Sequence, residues 1–161
     1  MQYEELKQRV LDEIDRNADH LISVGERIYR DPELGFKEFR TANIVAGEFQ
    51  RLGLGYHEEI AVTGLKTVVA GGSPGPTVGV LGELDSVLVA DHEFANPDTG
   101  AAHCCGHNAQ ITTMLGVANG LIKSGVLAEL AGNVACFAVP AEEYVEIDYR
   151  VQLRREGKTE F

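Results

Sequence analysis

The sequence predicts one α/β domain, a layered sheet with helices on both faces, from three changes of hydrophobic pattern along its 161 residues. Apolar residues first recur with a helical period. After Gly53 the pattern gives way to short Val- and Leu-rich runs punctuated by glycine and proline. A helical period then returns at 108–123 and is followed by an apolar run at 133–139. Helix, helix, strands, helix, strand is the order of a layered domain whose last strands run parallel.

Taken in order, Leu6, Val10, Leu11, Ile14, Ala18, Leu21, Ile22 and Ile28 predict one long amphipathic helix. It stops before Asp31-Pro32, because the residue preceding a proline is pushed away from helical angles. A second helix runs from Phe39 to Leu52, burying Ile44, Val45, Phe49 and Leu52, with Gly53 placed for a left-handed cap. Leu65 to Ala70 and Thr77 to Leu84 read as two strands joined by a turn through Gly71-Gly72-Ser73-Pro74-Gly75-Pro76. Asn108 to Lys123 is helical through Ile111, Leu115, Ala118, Leu121 and Ile122. Asn133 to Val139 is nearly continuously apolar, the mark of a strand covered on both faces. Residues 150–161 show no closing element, so the chain reads as the first part of a longer one.

Hydrophobic residues at 44% and charged residues at 24% exclude a disordered tail, a collagenous repeat and a coiled coil. Acidic residues outnumber basic ones 25 to 14, for a formal charge of −11. A surface this acidic repels phosphate backbones and anionic lipid, so neither nucleic acid nor membrane is a fitting partner. Three cysteines, of which Cys104 and Cys105 are adjacent, do not make a disulfide framework and point to a reducing compartment. The acidic start, Met1 to Glu5, is no signal peptide, and no apolar run approaches the roughly 20 residues that span a bilayer. The reading is cytoplasmic.

Three clusters carry the chemistry. In His103-Cys104-Cys105-Gly106-His107, Cys105 and His107 are two apart and can face one cation from an extended loop. Gly106 allows close backbone approach, and the helix that follows has a positive end that favours a thiolate. Glu142-Glu143 follows the buried strand directly, where open α/β sheets bind ligands. In extended backbone these two carboxylates point apart, one toward a metal and the other toward the attacking water. Asp85, in Gly82-Glu83-Leu84-Asp85-Ser86, ends another strand. It either bridges two cations or fixes the free nitrogen of a ligating imidazole. Each cluster alone is more simply a turn, a buried thiol or a solvated carboxylate pair; three at consecutive strand ends shift the balance to a metal site. His20 and His57 read as surface residues, His92 has no spacing that ties it to the site, and Cys136 reads as a small apolar strand residue. No phosphate loop and no Gly-x-Ser-x-Gly elbow is present.

These clusters, together with Tyr29-Arg30-Asp31-Pro32-Glu33-Leu34-Gly35-Phe36 and Thr41-Ala42, resemble the aminoacylase/carboxypeptidase family of metallopeptidases. The likeness is to its amidohydrolase branch, which holds hippurate, indoleacetyl-amino-acid and p-aminobenzoyl-glutamate hydrolases. The resemblance runs from about residue 20 to 143 and implies Cys105, His107 and Glu143 as metal ligands. It implies Glu142 as general base and Asp85 as support for the site. It further implies two divalent cations, zinc or manganese, an acyl-amino-acid or peptide-like substrate, and a homodimer at full length. Residues 1–161 would then be a partial catalytic domain, without the lid and dimerisation domain, and inactive alone. Asn108 stands where the branch has Asp, Tyr144-Val145-Glu146 replaces the usual glycines, and residues 144–161 contain no histidine. Two other readings stay open: a non-catalytic fragment with a partial metal site, and a redox-sensing dithiol at Cys104-Cys105.

Overall fold

A computed structural model describes residues 3–160. Met1 and Gln2 of the acidic start, and the final Phe161, lie outside the described residues. Among the described residues no helix is long and apolar enough to cross a membrane.

The single helix expected up to Arg30 is two: α1, Tyr3–Arg16, and α2, Ala18–Arg30. Asn17, a poor helix former, sits at φ −104° and ψ 9° between them. Its amide still reaches Ile14 O at 3.1 Å, and its carbonyl accepts from Leu21 N at 3.0 Å, so the hydrogen-bond ladder bends without opening. The bend lets both segments lie along α4, His107–Ser124. Gly120 of α4 admits Val10 and Ile14 of α1, and Gly25 of α2 packs on Thr112. Helix α3, Phe39–Arg51, ends as expected, with Leu52 following and Gly53 at φ 72°.

The main sheet is mixed, with spatial order β1 (Tyr56–Ile60), β2 (Gly64–Ala70), β6 (Ala131–Val139), β3 (Ser73–Glu83). β2 and β3 are therefore not a hairpin; β6 lies between them, antiparallel to β2 and parallel to β3. The parallel partner is reached through the α4 crossover, as an all-local turn could not do. A two-stranded ribbon, β4 (Val87–Leu88) with β5 (Ala101–Ala102), lies outside the main sheet.

Helices α2, α3 and α4 share one core with the sheet. Val24, Ile28, Val45, Phe49, Ile111, Met114 and Leu115 pack there with Leu65, Cys136 and Ala138. Cys136 faces Thr67 on one side and Val80 on the other, is fully buried, and has its thiol pushed up to about 11 by that burial. On the opposite face Val68 and Leu81 are 50% and 60% exposed. The second helical layer expected there is not among the described residues. The last helix, α5, Ile147–Arg155, occupies part of the stretch that the sequence leaves without a closing element. It docks by Leu153 against Phe36 and Ala141.

The segment 31–38 ties these parts together. Glu33 accepts from the amides of Arg40 and Thr41 at 3.2 and 2.8 Å, holding the start of α3, while its own carbonyl accepts from Ser86 N and Oγ. Glu38 is fully buried and accepts from Thr63 Oγ1 at 2.6 Å and from Ala141 N at 2.8 Å. Burial raises the Glu38 carboxyl above its ordinary range, against the lowering effect of the Thr63 bond. The folded state thus holds this proton more tightly than the unfolded chain. Stability contributed by the protonated form is present at acid pH and is lost as pH rises from the ordinary carboxylate value through the raised one. Glu38→Gln keeps the acceptor for Ala141 N and removes the titration. Denaturant midpoints measured across that range should therefore fall with pH in the wild type and stay flatter in the variant. Parallel slopes would show that Glu38 is not the group responsible.

Candidate metal centre

The parallel pair places the chemistry. Glu83 is opposite Val139 in the β3–β6 register, and Leu84 N donates to Val139 O at 2.8 Å. Asp85 and the Pro140–Glu143 loop therefore leave the sheet side by side, at the carboxyl ends of both strands. Helix α4 begins at the same edge with His107. Gly106 just before it has φ 101°, and an added Cβ would meet nothing within 4 Å, so it is conformation that needs glycine here rather than close approach.

His107 is 1% exposed. Its Nδ1 lies 2.8 Å from Asp85 O and 3.2 Å from Asp85 Oδ1. The fully buried Asp85 carboxylate stands behind the imidazole and also accepts from Glu143 N at 2.9 Å through Oδ2. With Nδ1 carrying the proton toward Asp85, Nε2 is the free edge. Glu83 lies 2.9 Å from it, Glu142 3.7 Å and Glu143 3.9 Å.

Two sets of ligand atoms share this imidazole: Cys105, His107 and Glu143, and Glu83, His107 and Glu142. Within each set the atoms lie within 4.8 Å of one another. The five residues singled out in the sequence thus meet around one ring. The two glutamates do not diverge as extended backbone would require; the loop that carries them leaves the strand through Ala141 at φ 53°. Glu83 is the residue that sequence reasoning missed. It is two positions from Asp85 at a strand end, and that spacing was the available signal.

Charge crowding shows in the proton affinities. Burial by itself pushes His107 down, but bonding to Asp85, with the charges of Asp85 and Glu83, raises it to about 9. A hydrogen bond to Glu143 raises the Cys105 thiol, reversing the lowering expected from the helix end. Burial and the neighbouring Glu83 and Glu143 raise Glu142. A soft thiol, a borderline imidazole and hard carboxylates gathered with surplus negative charge are a fitting donor set for a divalent cation.

His103 is also buried, with both ring nitrogens lacking a hydrogen-bond partner, and burial together with the charge of His107 pushes it down to about 4. Of the other histidines, His20 pairs with Glu48 at 2.9 Å, His57 is exposed, and His92 meets the Tyr29 hydroxyl at 3.2 Å. Cys104 and Cys105 are both free and exposed.

No family model matches the chain. Thermostable carboxypeptidase 2 of Saccharolobus solfataricus is 29% identical over 143 residues, covering 86% of this chain and 36% of its own. IAA-amino acid hydrolase ILR1-like 4 of Arabidopsis thaliana is 34% identical over 128 residues, covering 78% and 28%. Over most of its length the chain is thus similar to carboxypeptidases and amino-acid-conjugate hydrolases. The fold agrees. The Bacillus subtilis YXEP protein, a dinuclear metal-binding peptidase of the M20 family, superposes with a TM-score of 0.68 at 23% identity, over 84% of this chain and 39% of that one. The chain spans about a third of the length of the curated relatives it matches.

A cation held by Cys105, His107 and Glu143 loses a soft ligand in Cys105→Ser. Groups one step removed from a metal already cost about 10–100-fold in affinity when lost, so Zn²⁺ binding by calorimetry should weaken by at least that order. Identical isotherms for the two chains would remove Cys105 from the ligand set.

Proposed function

We propose that this chain is part of a metal-dependent amidohydrolase that cleaves the amide bond between an acyl group and an amino acid, or a similar dipeptide-like bond. The observation that carries the reading is the convergence of Cys105, Glu83, Glu142 and Glu143 on the Nε2 edge of a buried His107. The names of the relatives support the reaction class, since they include a carboxypeptidase and an IAA-amino acid hydrolase. Cys105, His107 and Glu143 act as ligands, with Glu83 beside them, and zinc or manganese suits the donor set. The complete site takes two ions.

A bound cation polarises the amide carbonyl and lowers the pKa of water near it. Glu142 is the general base: it is half-exposed, faces the same edge as the ligands, and so can reach both water and substrate. It takes the proton from the attacking water and delivers it to the leaving amine nitrogen. Asp85 acts through His107, holding the ring with Nε2 forward. The substrate is a small acyl-amino acid or peptide; nucleic acid and membrane surfaces are not partners, which the charge of −11 supports. The protein works in the cytoplasm, which suits three free thiols, and is a homodimer at full length. Residues 1–161 form a partial catalytic domain that binds metal and does not turn over.

Paired variants test the roles in the protein extended to the length of its relatives. Glu142→Gln should lower kcat by about 10²–10⁴-fold, the usual share of a general acid–base group, while metal stays bound. Glu143→Gln should lose metal first and activity with it. Near-wild-type kcat in Glu142→Gln would remove it as the base. Loss of metal in Glu142→Gln but not in Glu143→Gln would exchange the two roles. Turnover by residues 1–161 alone would refute the partial-site reading.

A further inference from the structure

Behind the loop that carries Glu142 and Glu143 lies a positive charge almost closed to water. Arg150 of α5 is 3% exposed. Its Nε donates to Val145 O at 3.0 Å, and its Nη2 donates to Ala141 O at 2.8 Å and to Glu143 O. The rings of Tyr144 and Phe36 lie 4.9 and 5.3 Å from the guanidinium carbon. The amides of the same loop are held from elsewhere, Ala141 N by Glu38 at 2.8 Å and Glu143 N by Asp85 at 2.9 Å. Gly35 closes the remaining side: a Cβ there would come 2.9 Å from that of Ala141.

The loop needs this grip. Ala141 has φ 53°, a left-handed conformation that is unfavourable for a residue with a Cβ. Relaxed toward extended backbone, residues 142 and 143 would point to opposite sides. As held, both carboxylates reach within 4 Å of His107 Nε2. The task suits arginine rather than lysine. Three carbonyls must be met by one planar fork whose faces lie near aromatic rings, and an ammonium offers neither the spread nor the faces.

We infer that Arg150 is a positioning residue for the candidate metal centre: its guanidinium sets the main-chain path that delivers Glu142 and Glu143 together to His107. What those carboxylates are for rests on the function proposed above; their placement does not.

The test compares the wild-type chain with Arg150→Lys, with Tyr144→Ala, and with Arg154→Lys as a control from the exposed side of α5. The first readout is the imidazole ¹H–¹⁵N spectrum of His107 in the metal-free chain, which senses the carboxylates around the ring. Arg150→Lys should shift these signals and Arg154→Lys should not. The second is Co²⁺ titration, read by the thiolate-to-cobalt charge-transfer band. Arg150→Lys should bind about 10–100-fold more weakly, and Tyr144→Ala should show a smaller loss in the same direction. A folded Arg150→Lys chain with wild-type His107 signals overturns the inference, as does wild-type Co²⁺ affinity in that variant. If Arg150→Lys does not fold, Tyr144→Ala decides by the same readouts, since Tyr144 is 71% exposed and its loss leaves the core intact. Unchanged values there overturn the inference. If the wild type binds no Co²⁺ but His107 still shifts in Arg150→Lys, the metal reading fails and the positioning role stands.

Discussion

One imidazole, His107, is gripped on its Nδ1 side by Asp85 and faced on its Nε2 side by Glu83, Glu142 and Glu143. That contact set is possible only because β3 and β6 run parallel. Parallel neighbours bring the carboxyl ends of two strands to the same edge, so Glu83 and Asp85 leave one strand where the Glu142-Glu143 loop leaves the other. Antiparallel pairing would have put them at opposite ends of the sheet. The parallel arrangement requires a crossover, and the crossover helix α4 is the element that starts with His107. The ring is thus supplied by the same chain segment that makes the strand order possible.

The segment Asp31–Glu38 looks functional in the sequence, yet none of its side chains belongs to the two ligand sets. Its role is mechanical. Glu33 fixes the first turn of α3 with its side chain and Ser86 with its carbonyl. Glu38 holds the Ala141 amide, Phe36 and Gly35 pack on Ala141, and Arg150 closes the loop from α5. Two strand ends and a strained turn are therefore referenced to one short stretch of chain. A shift of the turn by even half a side chain would separate the glutamates, and metal or catalytic groups are sensitive to displacements of about 0.5 Å.

The parts legible in the sequence were those set locally. The end of α2 before Pro32, the left-handed Gly53 and the helical face of α4 follow from neighbouring residues. Strand ends are also where two-residue spacing speaks, so Asp85, Cys105, His107, Glu142 and Glu143 could be singled out together. What escaped was non-local or disguised. The turn residues 71–76 signal a reversal, but nothing nearby says that β6 will insert between β2 and β3. β1 has four exposed residues in five and so lacks the alternation that marks a strand. The bend at Asn17 leaves the ladder almost whole. α5 turns inward a buried arginine, which in a sequence reads as surface.

The electrostatics of the site have a single origin. Cys105, His107 and Glu142 all hold their protons more tightly than usual, and in each case carboxylates at the sheet edge contribute. Burial alone would have made His107 neutral, as it does His103 nearby. The difference is not depth but company: His107 has Asp85 bonded on one side and three glutamates on the other, whereas His103 has no hydrogen-bond partner at either nitrogen. The proton on Nε2 of His107 therefore compensates charge that the fold has gathered. A divalent ion at that edge would supply the same compensation with twice the charge and would need Nε2 as a ligand, so proton and metal compete for one atom. The acidic crowding that makes this sheet edge costly to assemble is the same feature that gives a cation a reason to be there.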